Sequence, residues 1–141
     1  MISLEVLYDS IKSLDIDNKW INQIAKNIFE DNNHRIAKIL IIFSTDEKLK
    51  NLKKSFFNQN VFTDVITFNL EDKNEPIDGE IYISIARVLE NASIYKQDFI
   101  LELKRVIIHG LLHLVGYDDQ TNSQKKEMND LENNYLNLNI I

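Results

Sequence analysis

From Phe99 to Val115 the sequence runs Phe-Ile-Leu-Glu-Leu-Lys-Arg-Val-Ile-Ile-His-Gly-Leu-Leu-His-Leu-Val, an apolar stretch with few charges. With each residue advancing about 100°, Ile100, Leu103, Ile107, Leu111 and Leu114 form one stripe of a helix. Val106, Ile108 and Leu112 cover its flanks. A helix that is apolar on nearly every side has to be buried on nearly every side. The stretch from about Asp98 to Val115 therefore predicts a central helix, and the rest of the chain has to supply the layers around it. Roughly opposite the stripe stand His109 and His113, with Glu102 and Arg105 one to two turns earlier on the same side. A buried imidazole needs partners for its ring nitrogens, so two of them on a greasy helix predict the wall of a polar cleft.

The surrounding layers read as mixed strand and helix. Residues 2–8 alternate as a strand should. Asp15 to Asn18 offers capping chemistry, and Trp20 or Ile21, Ile24 and Ile28 then recur at helical spacing to about Glu30. Asp31 to His34 is a polar turn, which His34 ends without serving as a ligand. Arg35 to Ser44, with its β-branched run Ile39-Leu-Ile-Ile-Phe43, predicts a central strand. Thr45 or Asp46 caps a short helix through Phe56 that carries Lys48, Lys50, Lys53 and Lys54. Val61–Leu70 and Gly79–Ser84 predict two further strands around a charged loop at 71–78. Ser84 caps a helix whose apolar face is Ile85, Val88, Leu89 and Ala92. Thr121 or Ser123 caps the last helix, with Met128, Leu131, Tyr135 and Leu138 as its buried stripe. Strands come early and helices gather late. The expected class is α+β: a single domain over residues 1–141, with a mixed sheet of about four strands packed against helices.

Bulk composition narrows the chemistry. The 141 residues contain no cysteine, so disulfides and thiolate ligands are excluded and any metal is held by nitrogen and oxygen. Apolar runs are too short to cross a bilayer, so no membrane partner is expected. The N-terminus shows no basic segment followed by an apolar core, which makes the cytoplasm the expected location. A net charge of −6 argues against tight non-specific nucleic-acid binding over the whole surface. The four lysines between 48 and 54 still permit a local basic face.

His109 and His113 lie four positions apart, which puts both rings on one helix face, one turn apart. Gly116 is the residue that can leave the helix through positive φ, and the turn brings Asp118 or Asp119 back towards the same point. Two imidazoles and one carboxylate make a three-ligand site with a position left for water, as in catalytic zinc centres. The spacing from His109 through His113 and Gly116 to Asp119 also matches the metzincin frame, with aspartate in the third slot. In that frame the general base follows the first histidine. Here that position is Gly110, which cannot take a proton.

His109-Gly-Leu-Leu-His113-Leu-Val-Gly116-Tyr-Asp118 resembles the signature of the YbeY family of rRNA-maturation endoribonucleases. Phe62-Thr63-Asp64-Val65-Ile66-Thr67-Phe68 and Gly79-Glu80-Ile81-Tyr82-Ile83-Ser84 are similar to two further strands of that family, and the likeness spans roughly residues 50–138. The resemblance implies a metal-dependent, single-strand-cutting RNA hydrolase with one Zn²⁺ per chain. It further implies ribosomal RNA and the small ribosomal subunit as partners, in 3′-end maturation and ribosome quality control. His109 and His113 carry over as ligands. The family's usual third histidine is Asp119 here, with Asp118 as the neighbouring alternative. An arginine common in the family before the Thr-Asp strand is replaced by Phe57, leaving Lys53, Lys54 or Arg105 to meet the substrate backbone. Phe56 and Phe57 are expected in the core, with base stacking as the alternative. No residue is marked as general base; Glu102 and Asp64 are candidates. Three rival readings are a metzincin-like metallopeptidase, a non-catalytic ribosome-assembly factor with a structural metal, and a non-haem iron oxygenase.

Overall fold

Local chemistry sets most of the helix starts. In the computed structural model, which describes residues 1–138, strand β1 (Ile2–Tyr8) leads through a loop to helix α1 (Asn18–Asp31), whose first turn is capped by the Asp17 carboxylate accepting from Lys19 N at 2.9 Å. Strand β2 (Ala37–Ser44) runs into helix α2 (Asp46–Phe57), where the Thr45 hydroxyl accepts from Lys48 N. Strands β3 (Val65–Asn69) and β4 (Ile77–Ser84) follow, and Ser84 caps helix α3 (Ile85–Tyr95) by accepting from Arg87 N. Helix α4 (Phe99–Leu114) is the apolar helix, and α5 (Asn122–Leu136) opens on a reciprocal capping box between Thr121 and Gln124. Each cap satisfies amide donors that the first helical turn leaves unpaired.

The four strands form one sheet in the order β1-β2-β4-β3, with β3 antiparallel to β4 and the other pairs parallel. This is the α+β class, a mixed sheet with five helices among the described residues. Helix α4 lies over the face to which Gly79 and Ile81 point. A Cβ on Gly79 would stand 2.7 Å from the Leu114 side chain, and one on Gly110 would stand 2.8 Å from the Ile81 methyl. Leu103, Ile107, Leu111 and Leu114 are buried along the stripe, and Val106, Ile108 and Leu112 are buried on the flanks, while in the first turn Ile100 is half-buried and Leu101 is exposed. Alternate residues of β4 face the other side of the sheet. There Tyr82 meets Phe68 edge-on, and Phe68 meets Phe56 of α2.

Several expected boundaries move, for reasons of pairing. β3 begins at Val65, not Val61. Val65 pairs with Ile83, and the ladder ends where Ser84 N donates to Asp64 O, because the next residue of β4 already belongs to α3. Beyond that bond, residues 61–63 have no strand to pair with among the described residues. β4 starts two residues early, at Ile77, because β2 supplies Ala37 and Lys38 as partners, and β2 correspondingly begins at Ala37, leaving Ile36 exposed. Two helix stripes are also shorter than periodicity suggests. Leu89 is exposed on α3, and Leu138 lies past the end of α5 and is exposed. Phe56 and Phe57 are not core residues. They are 67% and 44% exposed, their rings leaning on Phe68 at the sheet edge. No described helix is long and apolar enough to cross a membrane.

Candidate metal centre

The end of α4 builds the site. Gly116 takes φ 111°, its N–H donates to His113 O, and Tyr117 N–H donates to Leu112 O. These are the two bonds of a Schellman stop, which only a residue tolerant of positive φ completes cheaply. The turn carries Asp119 back beside the last two turns of the helix. His109 Nε2 and His113 Nε2 are 3.0 Å apart, and Asp119 Oδ2 lies 3.2 Å from the first and 3.4 Å from the second. Metal–ligand bonds of about 2.0–2.2 Å in a tetrahedron set ligand–ligand edges of about 3.3–3.6 Å. The three donor atoms come close to one face of such a tetrahedron, drawn tighter on the two edges at His109, and their nitrogen and carboxylate chemistry could hold a divalent metal ion.

Asp118 does not join them. It is exposed, and its Oδ1 accepts from Asp119 N at 2.8 Å, which tightens the turn that aims Asp119 inward. His34 stands apart, its ring 6.1 Å from that of Phe29.

The site opens on a cleft of about 670 Å³ whose walls include Asp64, Glu102, Arg105, His109, Asp119 and Lys125. Both candidate bases are there. Burial pushes the Asp64 carboxyl above its usual range, against the pull of His109 and a hydrogen bond from Asn91 of 3.1 Å. Burial raises Glu102 as well, with Arg105 opposing and the charges of Asp64 and Glu132 adding to it. A carboxyl displaced in this direction holds its proton more readily than a free one, which is the property that a proton-transferring group uses. Lys53, Lys54, Phe56 and Phe57 are not among the lining residues. They sit on α2, and the contacts of Phe56 and Phe57 with Phe68 place the end of that helix on the opposite face of the sheet.

Glu132 is the residue that sequence reading missed. It is 6% exposed, and its Oε2 accepts from His109 Nδ1 at 2.6 Å. Burial alone would lower the His109 pKa; the hydrogen bond and charge of Glu132 outweigh it, with Asp119 and Asp64 adding, and the net shift is upward. A signal was present. Met128, Glu132 and Tyr135 follow one another at spacings of four and three, so a carboxylate interrupts the buried face of α5. An unpaired charge there would cost several kcal/mol, which implies a partner. Asn91 carried no comparable signal.

The chain as a whole is similar to known proteins. A family model described as Endoribonuclease YbeY matches residues 7–139. An "Endoribonuclease YbeY" from Amoebophilus asiaticus is 39% identical over 123 residues, 87% of this chain and 84% of that relative. One from Karelsulcia muelleri is 43% identical over 120 residues, 84% and 81% of the two chains. The solution structure of TM1509 from Thermotoga maritima is similar with a TM-score of 0.63 and 29% identity, over 96% of this chain and 87% of that one. A match that runs from β1 past the end of α5 takes in both walls of the cleft along with the histidine helix, and on that evidence this chain belongs to the YbeY endoribonuclease family.

Proposed function

We propose that this protein is a metal-dependent endoribonuclease that cuts single-stranded ribosomal RNA in the cytoplasm, in small-subunit 3′-end maturation and ribosome quality control. One divalent cation per chain, zinc by preference, is held by His109, His113 and Asp119. The observation that carries this reading is the triangle of two Nε2 atoms and one Oδ2, with edges of 3.0–3.4 Å beside an open cleft. Bound there, a zinc ion would polarise a phosphoryl oxygen and lower the pKa of water towards neutrality. The chain's own part is to place the RNA and manage protons. Asp64 and Glu102, both with raised pKa, stand in the cleft to take a proton from the attacking group or return one to the leaving oxygen. Incubation with an rRNA 3′-end precursor tests the reading. Cleavage should be lost in EDTA and restored by zinc, with casein left intact. Cleavage that survives complete chelation sinks the metal assignment.

The peptidase alternative finds no support in the geometry. Position 110, where a metallopeptidase would carry its base, packs against Ile81 and Val65 of the sheet and is not among the residues that line the cleft.

Phosphate recognition falls to a cation the sequence did not single out. Arg105 is already committed, to Glu132 at 2.9 Å and to Asn133 at 2.6 Å. Lys125, exposed at the start of α5, lines the same cleft. Lys125→Ala should raise KM several-fold with little change in kcat, and lower the salt slope of RNA binding by about one. Binding measured between low and moderate salt checks this. An unaltered slope would remove Lys125 from the substrate path.

A further inference from the structure

We propose that Glu132 is the positioning residue of the metal centre, with Arg105 holding it in turn: the pair fixes which nitrogen of His109 is offered to the ion and how the ring is rotated. The proposal rests on the metal reading above and goes beyond it in assigning a role to residues outside the ligand triangle.

Three observations converge. Glu132 projects from α5 into the wall of the cleft, with its side chain only 8% exposed, so its charge requires partners. Both oxygens have one. Oε1 accepts from Arg105 Nη1 at 2.9 Å, and Oε2 accepts from His109 Nδ1 at 2.6 Å. The other amino group of Arg105, Nη2, donates to Asn133 Oδ1 at 2.6 Å, one residue along α5. The guanidinium is thereby clamped between two neighbouring side chains of the helix it faces.

The chemistry of that arrangement is directional. An ionised carboxylate only accepts hydrogen bonds. Against Glu132 Oε2, Nδ1 of His109 therefore carries the hydrogen, and the lone pair of the neutral ring lies on Nε2. Nε2 is the atom that stands 3.2 Å from Asp119 Oδ2 and 3.0 Å from His113 Nε2. A free neutral imidazole prefers the opposite tautomer, with its hydrogen on Nε2, where it would block the ion. Glu132 reverses that preference and removes the ring's freedom to rotate about its Cβ–Cγ bond. Among the described residues no second carboxylate does this for His113, whose only acidic neighbour is Asp119 itself. His109 is thus the ligand set before the ion arrives. The coupling also ties the ion to the packing of α5 on α4, since one helix supplies the histidine and arginine and the other the carboxylate.

The test measures metal affinity by competition with a chromogenic zinc chelator, and the His109 tautomer of the metal-free protein by ¹⁵N chemical shifts. The variants are Glu132→Ala, Glu132→Leu, which fills the volume without an acceptor, and Glu132→Gln, which restores one acceptor. Loss of a partner of this kind costs about 10–100-fold in affinity. That loss is expected for alanine and leucine, together with a shift of His109 towards the Nε2–H tautomer. Glutamine should recover part of both, because its single carbonyl can serve His109 but leaves its amide facing the Arg105 donors. A folded alanine or leucine variant with wild-type affinity and an unchanged tautomer overturns the proposal, and so does a glutamine variant no better than leucine. Wild-type protein that binds no stoichiometric zinc would instead remove the metal reading on which this stands, a distinct result read from the same titration.

Discussion

Replacing His113 with alanine is expected to strip the protein of its metal and its nuclease activity together while leaving the fold in place. Apparent binding energies for structural zinc of about 10–16 kcal/mol, spread over four ligands, put roughly 2.5–4 kcal/mol on each. Losing one imidazole then weakens binding about 10²–10³-fold. The fold has little at stake. His113 lies on the cleft side of α4, its side chain 21% exposed, while Leu103, Ile107, Leu111 and Leu114 bury the opposite stripe untouched. Alanine is also the better helix former. Elemental analysis after gel filtration should show the ion gone, and circular dichroism should show the helices unchanged. Stoichiometric zinc retained by His113→Ala would contradict the ligand set.

The second large effect lies one residue beyond the other histidine. Gly110→Glu would complete the metallopeptidase sequence pattern, and the structure gives the carboxylate nowhere to go. A Cβ at 110 already stands 2.8 Å from Ile81 Cγ2 and 3.5 Å from Val65 Cγ2. The Ile81 methyl is β-branched and buried, so it cannot swing aside. Overpacking of this kind costs about 1–3 kcal/mol, and a buried carboxylate without a partner adds several more. Against a total stability of about 5–15 kcal/mol, the sum should leave Gly110→Glu unfolded or insoluble. Gly110→Ala is the graded control. It meets the same methyl, but gains up to about 1 kcal/mol of helix propensity and should remain folded. Denaturant melts distinguish the two. A folded Gly110→Glu protein that digests casein would show the sheet contact to be yielding and would reopen the peptidase reading.

Other departures from expectation share a cause with that contact. The sequence of α5 places Leu131 and Leu138 on one stripe with Met128 and Tyr135, yet the residue buried between Met128 and Tyr135 is Glu132, and Leu138 falls beyond the helix. Periodicity reports which positions share a face. It does not report that the face is met by His109 and Arg105, which turn a position suited to leucine into one suited to a carboxylate. Phe56 and Phe57 make the same point in reverse. Their apolar character predicts burial, but α2 reaches the edge of the sheet at β3, where no further strand or helix among the described residues covers them.

What the sequence determined by itself was everything set within a few residues: the cap at Ser84, the caps at Thr45 or Asp46 and at Thr121 or Ser123 to within two positions, the buried stripe of α4, the paired imidazoles one turn apart, and the glycine stop at Gly116. Helical pitch and capping are local, so local spacing suffices to read them. The tertiary structure turned Asp119 towards the histidines and left Asp118 exposed, began β3 where its partner strand could reach it, and brought Glu132 to His109 across 23 positions of chain. Those outcomes depend on which surfaces pack together, and a side chain's neighbours across a packed interface have no period along the chain.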